Sequence, residues 1–589
     1  MLRKLFRIFP LLLFLTAFLN LPYKVLANPT TLFEISESIH LNSSQDIEDQ
    51  LSHISNSGKG IICFEKGTHI VRKDLSIPGG YSLLFQEGAV LDIAPKIKLT
   101  INSNIIAGNY QIFSGKGTVV FGSDSLVEAR PQWWKSPKEN GYTEAIQKAL
   151  LSNSKVVYFS SGVYVIDIPK NSKYAIAIPS DIVLKGDPGK SILKLRHCPK
   201  TKDIWDCNSM FLATAVTGIK ITGLTFDSSS FYPDPSTISR QDPNIVGTRA
   251  LAFHNVKYLT VENCIFKGFT NHSITVTGDD VLIQRNIFQQ GAYRTQVVRL
   301  DSSKNITLSN NIFEDNGPHY YMVLGRSHET SSTDAIMVGY HVEHAYILRN
   351  VIRKTSGCGI RVEMSKDVHV IGNEIYDAGQ DGITFYHSNK DCTCIANKIQ
   401  NWGRLGNFGY IRKQDGVIYN PKEYHYPPPG IPHLPEKLSD SATWEKNRYF
   451  LQGRDQTTIP NYDAQDYKTV LAFRGFSGIS VTEGSYNIII SNNTIVGNTS
   501  MTDGLYNYAS NYGINIGVHN VNSPSSSGNC IVTNNIISDC IDYDIYCPQY
   551  VDVTSRKGIS EESVVFGNTC SPSKAIFYYK KKPDTVCKD

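Results

Sequence analysis

The sequence predicts an all-β solenoid, a fold in which coils of short strands stack along one axis. An asparagine followed two residues later by an apolar residue recurs along the chain, and its closest copies are 23 to 25 residues apart. A repeat of this length, built from alternating apolar strands without intervening helices, indicates coils that stack on their neighbours around one core. The recurring residues are Asn263, Asn286, Asn311, Asn350, Asn373, Asn397, Asn493 and Asn535.

The clearest two repeats occupy residues 359–402. Each has a strand, a polar turn, a second strand, the asparagine and a third short strand. Asn373 and Asn397 are 24 residues apart. We expect each asparagine to occupy a corner of its coil, where it tolerates left-handed backbone. Its amide can hydrogen-bond to the asparagines of the coils above and below, so we predict a structural role for the set.

The start of the repeat region carries a family resemblance. Residues 129–134 read ARPQWW, and a helical segment and the strand pair VVYFSSGVYVI follow. This order resembles the start of many bacterial and phage β-helix proteins that process polysaccharides, although the turn KSPKENGY lacks their usual Gly-Asp residues. We expect Trp133 and Trp134 to belong to the core.

The repeats themselves resemble the right-handed parallel β-helix proteins of the pectate-lyase-like superfamily, over about residues 130–570. That resemblance implies a right-handed single-stranded parallel β-helix and a polysaccharide ligand. We add N-terminal capping helices to this fold, because helical segments at 45–54 and 142–151 each come before a strand–turn–strand, and an open end would expose unpaired strand edges.

Breaks in composition and period divide the chain into parts. Basic residues before a short apolar run and a small-residue cleavage site predict a signal peptide, because that run is too short for a typical membrane span. The predicted parts are the signal peptide (1–27), an N-terminal β-rich module with a capping helix (28–128), the β-helix (129–570) with long insertions near 314–345 and 401–475, and a basic C-terminal tail (571–589).

Charge and cysteine usage restrict the partners. Removal of residues 1–27 takes away four basic residues and no acid, so 58 − 4 = 54 basic residues remain against 54 acidic ones. A net charge near zero gives no indication of nucleic acid or of stable membrane insertion. We expect a secreted, periplasmic or cell-surface protein, with oligomeric state open. Export permits disulfides, and Cys198–Cys207 and Cys540–Cys547 are the candidate pairs.

The candidate site follows from aligning the coils on their asparagines. The segment VRLDSSKN then falls on IRVEMSKD, and the strand alternation directs an arginine and a carboxylate outward in both. A one-residue slip leaves open which of two neighbours faces outward in other coils. The predicted outward column contains His254, Thr275 or Thr277, Arg299, Asp301, Arg361, Glu363, Tyr386 or His387, Thr482 and Glu483.

The preferred function is glycoside hydrolysis along this face. Coils are about 4.8 Å apart, so Asp301 and Glu363, with one coil between them, lie roughly 9–10 Å apart. That separation is at the wide end of the range for inverting glycosidases, in which one carboxyl is the general acid and the other activates water. We assign substrate positioning to His387 and substrate binding to Arg299, Arg361, Tyr386, His254 and Glu483, with no cofactor.

Two alternatives remain open. In a polysaccharide lyase acting on a uronate-containing glycan, Arg299 and Arg361 would neutralise the uronate, His387 or Tyr386 would be the base, and calcium is a candidate cofactor. In a carbohydrate-binding or adhesion β-helix the face binds without catalysis. Family motifs do not decide: Gly278-Asp279-Asp280 weakly resembles the DD element of polygalacturonases, whose GHG and RIK elements are absent, as is the Asp-Pro-His element of mannuronan epimerases.

Overall fold

The computed structural model describes most of the chain from residue 38 onward. The predicted signal peptide, residues 318–332 of the first predicted insertion, most of the second insertion and most of the basic tail lie outside the described residues. The described ranges are 38–54, 58–123, 125, 127–201, 206–232, 246–292, 295–317, 333–403, 476–498, 510–517, 527–540, 543–548 and 563–572, with short strands at 410–412, 418–419, 467–469, 501–502, 506–507, 560–561 and 576–579.

The chain from residue 128 onward forms a parallel β-helix with three columns of strands. The first and second columns join into one 23-stranded parallel sheet, and the third column is an 11-stranded sheet. The first column contains Tyr174–Ala177, Asn208–Thr214, the first part of Thr248–Glu262 and of Ile274–Gln284, then Gln296–Asp301, Asp334–Gly339, Ile360–Glu363, Ile383–Tyr386, Phe476–Thr482, Ser510–Gly517, Tyr543–Pro548 and Ile576–Tyr579.

The other two columns complete each coil. The second column contains Glu128–Ala129, Val156–Phe159, Ile182–Gly186, Thr217–Thr222, the second part of Thr248–Glu262 and of Ile274–Gln284, then Lys304–Ser309, Glu343–Leu348, Lys366–Ile371, Thr393–Ile395, Ile489–Ser491, Ile531–Thr533 and Val564–Phe566. The third contains Gly162–Asp167, Ser191–His197, Thr225–Asp227, Ile265–Lys267, Ile287–Gln289, Ile312–Asn316, Val351–Thr355, Glu374–Tyr376, Lys398–Gln400, Thr494–Val496 and Ile536–Ser538.

The N-terminal module is a shorter stack of the same kind. Its three parallel sheets contain Ser38–Leu41, Gly60–Phe64, Tyr81–Phe85 and Asn104–Ile106; Gly67–Val71, Ala89–Ile93 and Phe113–Gly115; and Leu75–Ile77, Lys98–Ile101 and Thr118–Phe121. The Phe121 amide donates to the Ser152 carbonyl (2.7 Å), and the Ile112 amide donates to the Trp133 carbonyl (2.9 Å). The module therefore continues directly into the β-helix.

Both predicted helices are present, but a capping role is not confirmed for them. The helix α1 spans Ile47–Ser52, with the Asp46 carboxylate accepting at its N-terminus, and α2 spans Thr143–Leu151. The residue that follows α2 accepts a hydrogen bond from the last strand of the N-terminal module. The helix α2 therefore lies between two stacks of strands instead of covering a free end. Short 3-10 helices occupy Pro131–Trp134 and Ser229–Phe231.

One continuous apolar core runs through both stacks. Phe226, Phe266, Phe288 and Phe313 stack in successive coils with ring centroids 4.6–5.0 Å apart. At the junction, Trp134 is 6% exposed and packs against Phe113. With Trp133 also buried, the prediction that both tryptophans belong to the core is confirmed.

A ladder of asparagine amides runs along the interior corner between the second and third columns. In each step the side-chain Nδ2 and the backbone N–H of one asparagine both donate to the Oδ1 of the next, at 2.9–3.0 Å. We call this set the asparagine ladder: Asn286, Asn311, Asn350, Asn373, Asn397, Asn493, Asn535 and Asn568.

Two details of the prediction were wrong. The left-handed residue is not the ladder asparagine but the residue before it, for example Arg285 (φ 54°) and Ala396 (φ 55°), because the amide must point inward along the stack. Asn263 is outside the ladder, since the Cys264 backbone N–H occupies that position and donates to Asn286 Oδ1 (2.9 Å). The Asn263 side chain instead accepts from Arg285 Nε.

Among the described residues, neither candidate disulfide, Cys198–Cys207 or Cys540–Cys547, is formed. Cys198 accepts a hydrogen bond from Asn208, and burial raises the pKa of its thiol to about 11. Within the part of the chain that the structure describes, none of the helices is long and apolar enough to cross a membrane.

Candidate functional site

The outward side chains of the first column form two parallel rows, because neighbouring strands pair in register. One row contains Thr275, Arg299, Met337, Arg361, Thr384 and Ser480. The other row contains Asp301, Gly339, Glu363, Tyr386 and Thr482. We call these two rows the carboxylate face. The coil that contains Gly339 separates Asp301 from Glu363, so two steps of about 4.8 Å place their strands roughly 10 Å apart.

The structure resolves the one-residue slip that the sequence left open, because the two neighbours lie in separate rows. Tyr386 and Thr482 continue the strand row, and the residue after each strand turns a corner in left-handed conformation. These corner residues are Ser302, Tyr340, Met364, His387 and Glu483, with φ between 44° and 55°. His387 and Glu483 therefore lie beside the carboxylate face at the corner, and Tyr386 is the residue in register with Glu363.

Asp301 forms an ion pair with the arginine two residues before it. Arg299 Nε donates to Asp301 Oδ2 at 2.6 Å, with both side chains about one quarter exposed. Asp301 Oδ1 is buried and has no hydrogen-bond partner among the described residues. Burial raises the pKa of the Asp301 carboxyl, the Arg299 guanidinium opposes that rise, and the negative charge of Glu363 adds to it. Asp301 thus retains a proton to higher pH than an ordinary aspartate.

Glu363 repeats this pairing two coils later but is more enclosed. Arg361 donates to Glu363 Oε2 from Nε (3.0 Å) and from Nη2 (2.8 Å). The Tyr386 ring lies 4.8 Å from the Arg361 guanidinium carbon. Glu363 is 4% exposed, and the two hydrogen bonds from Arg361 replace hydration that burial removes. Two hydrogen bonds to one oxygen fix the orientation of the carboxylate.

A third carboxylate, Asp334, lies behind Arg361. It is fully buried at the start of the intervening strand, and the Cys358 backbone N–H donates to its Oδ1 (2.9 Å). Its Oδ2 is 4.0 Å from Arg361 Nη1 and has no hydrogen-bond partner in the described part of the chain. Burial raises the Asp334 pKa, and Arg361 opposes the rise. Asp334 and Glu363 in turn raise the pKa of Arg361 against the effect of burial.

Two of the corner residues form a histidine–carboxylate pair. His387 Nδ1 is 2.7 Å from Glu483 Oε2, and Glu483 is 4% exposed whereas His387 is 30% exposed. A buried carboxylate on Nδ1 leaves Nε2 as the outer nitrogen of the ring. The rings of His387 and Tyr386 are 3.8 Å apart, so the pair adjoins the Arg361–Glu363 pair.

His254 lies two coils before Asp301, toward the N-terminal end of the face. Partial desolvation and the charge of Arg249 lower the pKa of its imidazole. A second histidine, His272, is buried nearby, with Nδ1 2.6 Å from the Gln296 carbonyl oxygen. Burial and Arg249 lower the pKa of His272 well below its ordinary value. Both imidazoles are therefore neutral at neutral pH.

The described residues contain no group of three or more His, Cys, Asp or Glu side chains that could hold a metal ion. The carboxylates of the face are each paired with an arginine instead.

A model of the family described as "Right handed beta helix region" matches residues 249–411, which include the whole Asp301–Glu363 segment. The fold of this chain is a right-handed parallel β-helix, and the expected fold is confirmed. No curated protein sequence matches it.

Several solved structures are similar to this β-helix protein. The surface adhesin PfbA of Streptococcus pneumoniae is 14% identical, with 77% of this chain and 97% of that chain covered and a TM-score of 0.42. DFA-IIIase from Arthrobacter chlorophenolicus A6 is 10% identical, with 78% and 97% covered and a TM-score of 0.41. The A-module of mannuronan C-5 epimerase AlgE6 from Azotobacter vinelandii is 10% identical, with 74% and 96% covered and a TM-score of 0.40. Likeness at this level carries no argument about the ligand.

Sequence reasoning missed three residues of the β-helix protein's site: Asp334, Gly339 and Tyr340. All three belong to the intervening coil, whose strand Asp334–Gly339 has no outward charge to mark it. Counting back from the asparagines would not have found them, because Arg299 lies 12 residues before Asn311, whereas its partner Met337 lies 13 residues before Asn350.

Proposed function

We propose that this β-helix protein hydrolyses glycosidic bonds of a polysaccharide outside the cytoplasm. The observation that carries the proposal is the pair of Asp301 and Glu363 on one face, two coils apart, in different surroundings. Asp301 has a raised pKa and a free oxygen, whereas Glu363 is held by two bonds from Arg361. A separation of roughly 10 Å leaves room for a water molecule beside the substrate, as inversion requires.

In the proposed step, Asp301 gives its proton to the glycosidic oxygen as the bond from that oxygen to the anomeric carbon breaks. A water molecule attacks the anomeric carbon from the opposite side, and Glu363 accepts the proton that the water loses. The products are two shorter chains, one with a new reducing end. A raised pKa suits a general acid, because the proton must be present at the working pH.

Arg299 and Arg361 limit the charge of the site and orient the two carboxyls. Since each arginine is paired within the face, these two pairs are neutral when both carboxyls are ionised and carry one positive charge when Asp301 is protonated. The exposed Tyr340 ring, 5.4 Å from the Arg299 guanidinium carbon, gives an apolar surface beside these charges. A mixed surface of this kind suits a sugar ring, which has apolar faces and polar edges.

A second candidate is a polysaccharide lyase, and the His387–Glu483 pair favours it. A histidine held at Nδ1 by a buried carboxylate is a suitable base for removing a proton next to a uronate carboxyl group. Arg361, within the same group of side chains, would neutralise that carboxyl group. No step of this candidate needs Asp301.

The test is to follow two signals in the same reaction. The exported full-length protein is incubated with a panel of neutral and uronate polysaccharides, and reducing ends and the ultraviolet absorbance of unsaturated uronates are recorded together. Hydrolysis gives reducing ends without the absorbance, and this is the expected result. Both signals together would replace hydrolysis by the lyase. Binding without either signal would reject both enzymes and leave a carbohydrate-binding or adhesion protein.

A further inference from the structure

An exposed tyrosine on the outer surface of the second column is supported by a second ring. Tyr346 is 44% exposed and pairs in register with His369 of the next coil. Their rings stack, with centroids 4.8 Å apart and planes 27° apart. The His369 ring covers one face of the tyrosine, so the exposed surface of Tyr346 includes the opposite face, which is directed toward the preceding coil.

Hydrogen bonds at both ring nitrogens hold His369 in place. Its Nε2 is 2.8 Å from Asp367 Oδ1, and its Nδ1 is 2.9 Å from Thr393 Oγ1. The second oxygen of Asp367 is paired with His344 Nδ1. Because the imidazole is fixed, the Tyr346 ring stacked on it is restricted as well. A contact surface that is already ordered loses little entropy when a ligand binds.

The free face of Tyr346 adjoins a notch in the sheet surface. In register with Tyr346, the preceding coil has the short Thr307, and the coil before that has Leu282. Two coil steps of about 4.8 Å place Leu282 and Tyr346 roughly 10 Å apart. A ring between them makes two contacts of about 3.5–4.0 Å each, so one ring fits. None of the three residues is buried. We call the space over Thr307 the Tyr346 notch.

The edge of the Tyr346 notch is polar and close to neutral. The exposed Asn305 and His344 occupy left-handed positions in successive coils at this edge. Since His344 Nδ1 is used by a carboxylate, Nε2 is the outer nitrogen of that ring. The charged residues at the same edge, Lys304 and Glu343, are paired with each other at 3.0 Å. An apolar ring face with neutral hydrogen-bonding groups beside it suits a sugar ring, which has apolar faces and hydroxyl edges.

We propose that the Tyr346 notch is a second glycan-binding site, in which one neutral sugar ring of a polysaccharide stacks on Tyr346 over Thr307. The notch is on the second column, whereas the carboxylate face is on the first. A polysaccharide bound in the notch therefore keeps the protein on its polymer without occupying the proposed catalytic groups, and this raises the effective concentration of the polymer at the carboxylate face. The inference rests on the proposed polysaccharide ligand but not on its hydrolysis.

Affinity electrophoresis through gels that contain hydroxyethylcellulose, xylan or galactomannan measures this binding without turnover. The Glu363→Gln protein is the parent of all variants, so that the polymer stays intact. In the gel that retards the parent most, Tyr346→Ala is expected to weaken binding about tenfold, because truncating a rigid aromatic anchor has an effect of this order. Tyr258→Ala is the matched control. Tyr258 is exposed on the same column, but Lys257 lies over its ring, and its loss should leave the affinity unchanged.

A fluorescent reporter locates the ligand at the notch. Tyr346→Trp retains an aromatic ring, so it should bind the polysaccharide with the affinity of the parent. Its emission should shift to shorter wavelength when the polysaccharide is added, because a stacked sugar ring removes water from the indole. Tyr258→Trp should show no such shift. Thermal unfolding of each variant verifies that it is folded.

The outcomes separate this inference from the proposed function. A parent protein that none of the gels retards would overturn the inference, and so would equal affinities of the parent and a folded Tyr346→Ala protein. An unchanged emission of Tyr346→Trp at saturating polysaccharide would overturn it as well. If the wild-type protein hydrolyses nothing and Tyr346→Ala still loses affinity, the proposed function fails and the second site stands. Hydrolysis by the wild-type protein with undiminished binding by Tyr346→Ala would give the reverse result.

Discussion

The asparagine ladder and the carboxylate face both receive one position from each coil, yet they differ in what those positions hold. The ladder repeats the same residue with the same two hydrogen bonds from Asn286 to Asn568. The face changes at every coil, from aspartate to glycine, glutamate and tyrosine. Because each ladder position holds the same residue, the ladder supports the coils uniformly. Because the face holds different residues in different coils, its site is confined to one place along the axis.

The two regions also differ in how completely their polar atoms are paired. In the ladder, the Asn373 side chain accepts from Asn350 and donates to Asn397 and to a backbone carbonyl. On the face, Asp301 keeps an oxygen without a partner among the described residues. Complete pairing stabilises the fold, whereas an incompletely paired group is suited to bind something else.

The largest expected effect is on the face. Glu363→Gln removes the proposed base while keeping the shape of the side chain, so kcat on the panel substrate should fall about a thousandfold or more. The variant should remain folded, but its melting temperature should fall, because Arg361 loses a charged partner in a largely buried site. Glu314→Gln is the control, because Glu314 pairs with Arg353 on the third column. Retained turnover in the Glu363 variant would remove Glu363 from the mechanism.

The second effect belongs to the ladder. Asn373→Ala removes an acceptor used by Asn350 and leaves buried groups unpaired, so the free energy of unfolding should fall by about 3 kcal/mol. Urea unfolding at equilibrium measures the loss. The remaining folded protein should keep its kcat, and a large loss of kcat without loss of stability would mean that the two regions are not separate.

The third prediction concerns pH. The proposed acid works when protonated, so kcat should fall as pH rises through the raised pKa of Asp301. Arg299 lowers that pKa, and Arg299→Gln should therefore move the fall in kcat to higher pH by about one unit. The exposed Arg353→Gln serves as control. A shift to lower pH would show that a different group titrates. The same raised pKa means that the contribution of Asp301 to stability is lost as pH rises through it.

The smallest expected effect concerns an asparagine that lies outside the ladder. Asn263 has the sequence pattern of a ladder residue, but its side chain accepts from the exposed Arg285 on the outside. Asn263→Ala should therefore lower the free energy of unfolding by only about 1 kcal/mol, the cost of placing alanine at its left-handed φ of 54°. Comparing the free energies of unfolding of Asn263→Ala and Asn373→Ala shows whether stability depends on the ladder position or only on the presence of an asparagine. Equal losses in the two variants would mean that the ladder contributes no more than a surface asparagine.

The fold could be predicted because its signal is local and repeated. The spacing of Asn350, Asn373 and Asn397 reports the coil length directly, and the ladder bonds explain why the residue recurs. Asn263 was misassigned because the pattern does not show that this asparagine lies one position before the ladder. Cys264 occupies the ladder position in that coil, and its backbone N–H donates to Asn286 Oδ1. The helices were found, but sequence periodicity does not report what a helix end is packed against.

The site was predicted less completely because it depends on register across long gaps. Arg299, Asp301, Arg361 and Glu363 could be placed on one face from alternation alone. The neighbour of Arg299 in the next coil is Met337, which no charge or motif marks. Similarly, stacking between coils determines that Tyr386 lies on the strand and His387 at the corner. The alternation of apolar and polar residues in the sequence is compatible with either residue on the strand.

The step from Asn397 to Asn493 has a consequence for how such a molecule can change over generations. These two asparagines are 96 residues apart and still form the same 3.0 Å bond as neighbours separated by one ordinary coil. The strands on both sides of the break pair in register, with Thr384 opposite Ser480. Stacking fixes both ends of the break, and the entropy of closing a longer connection grows only slowly with its length. The molecule thus has a place beside the strands of the carboxylate face where segments can be acquired, lost or exchanged while the stacked coils keep their pairing.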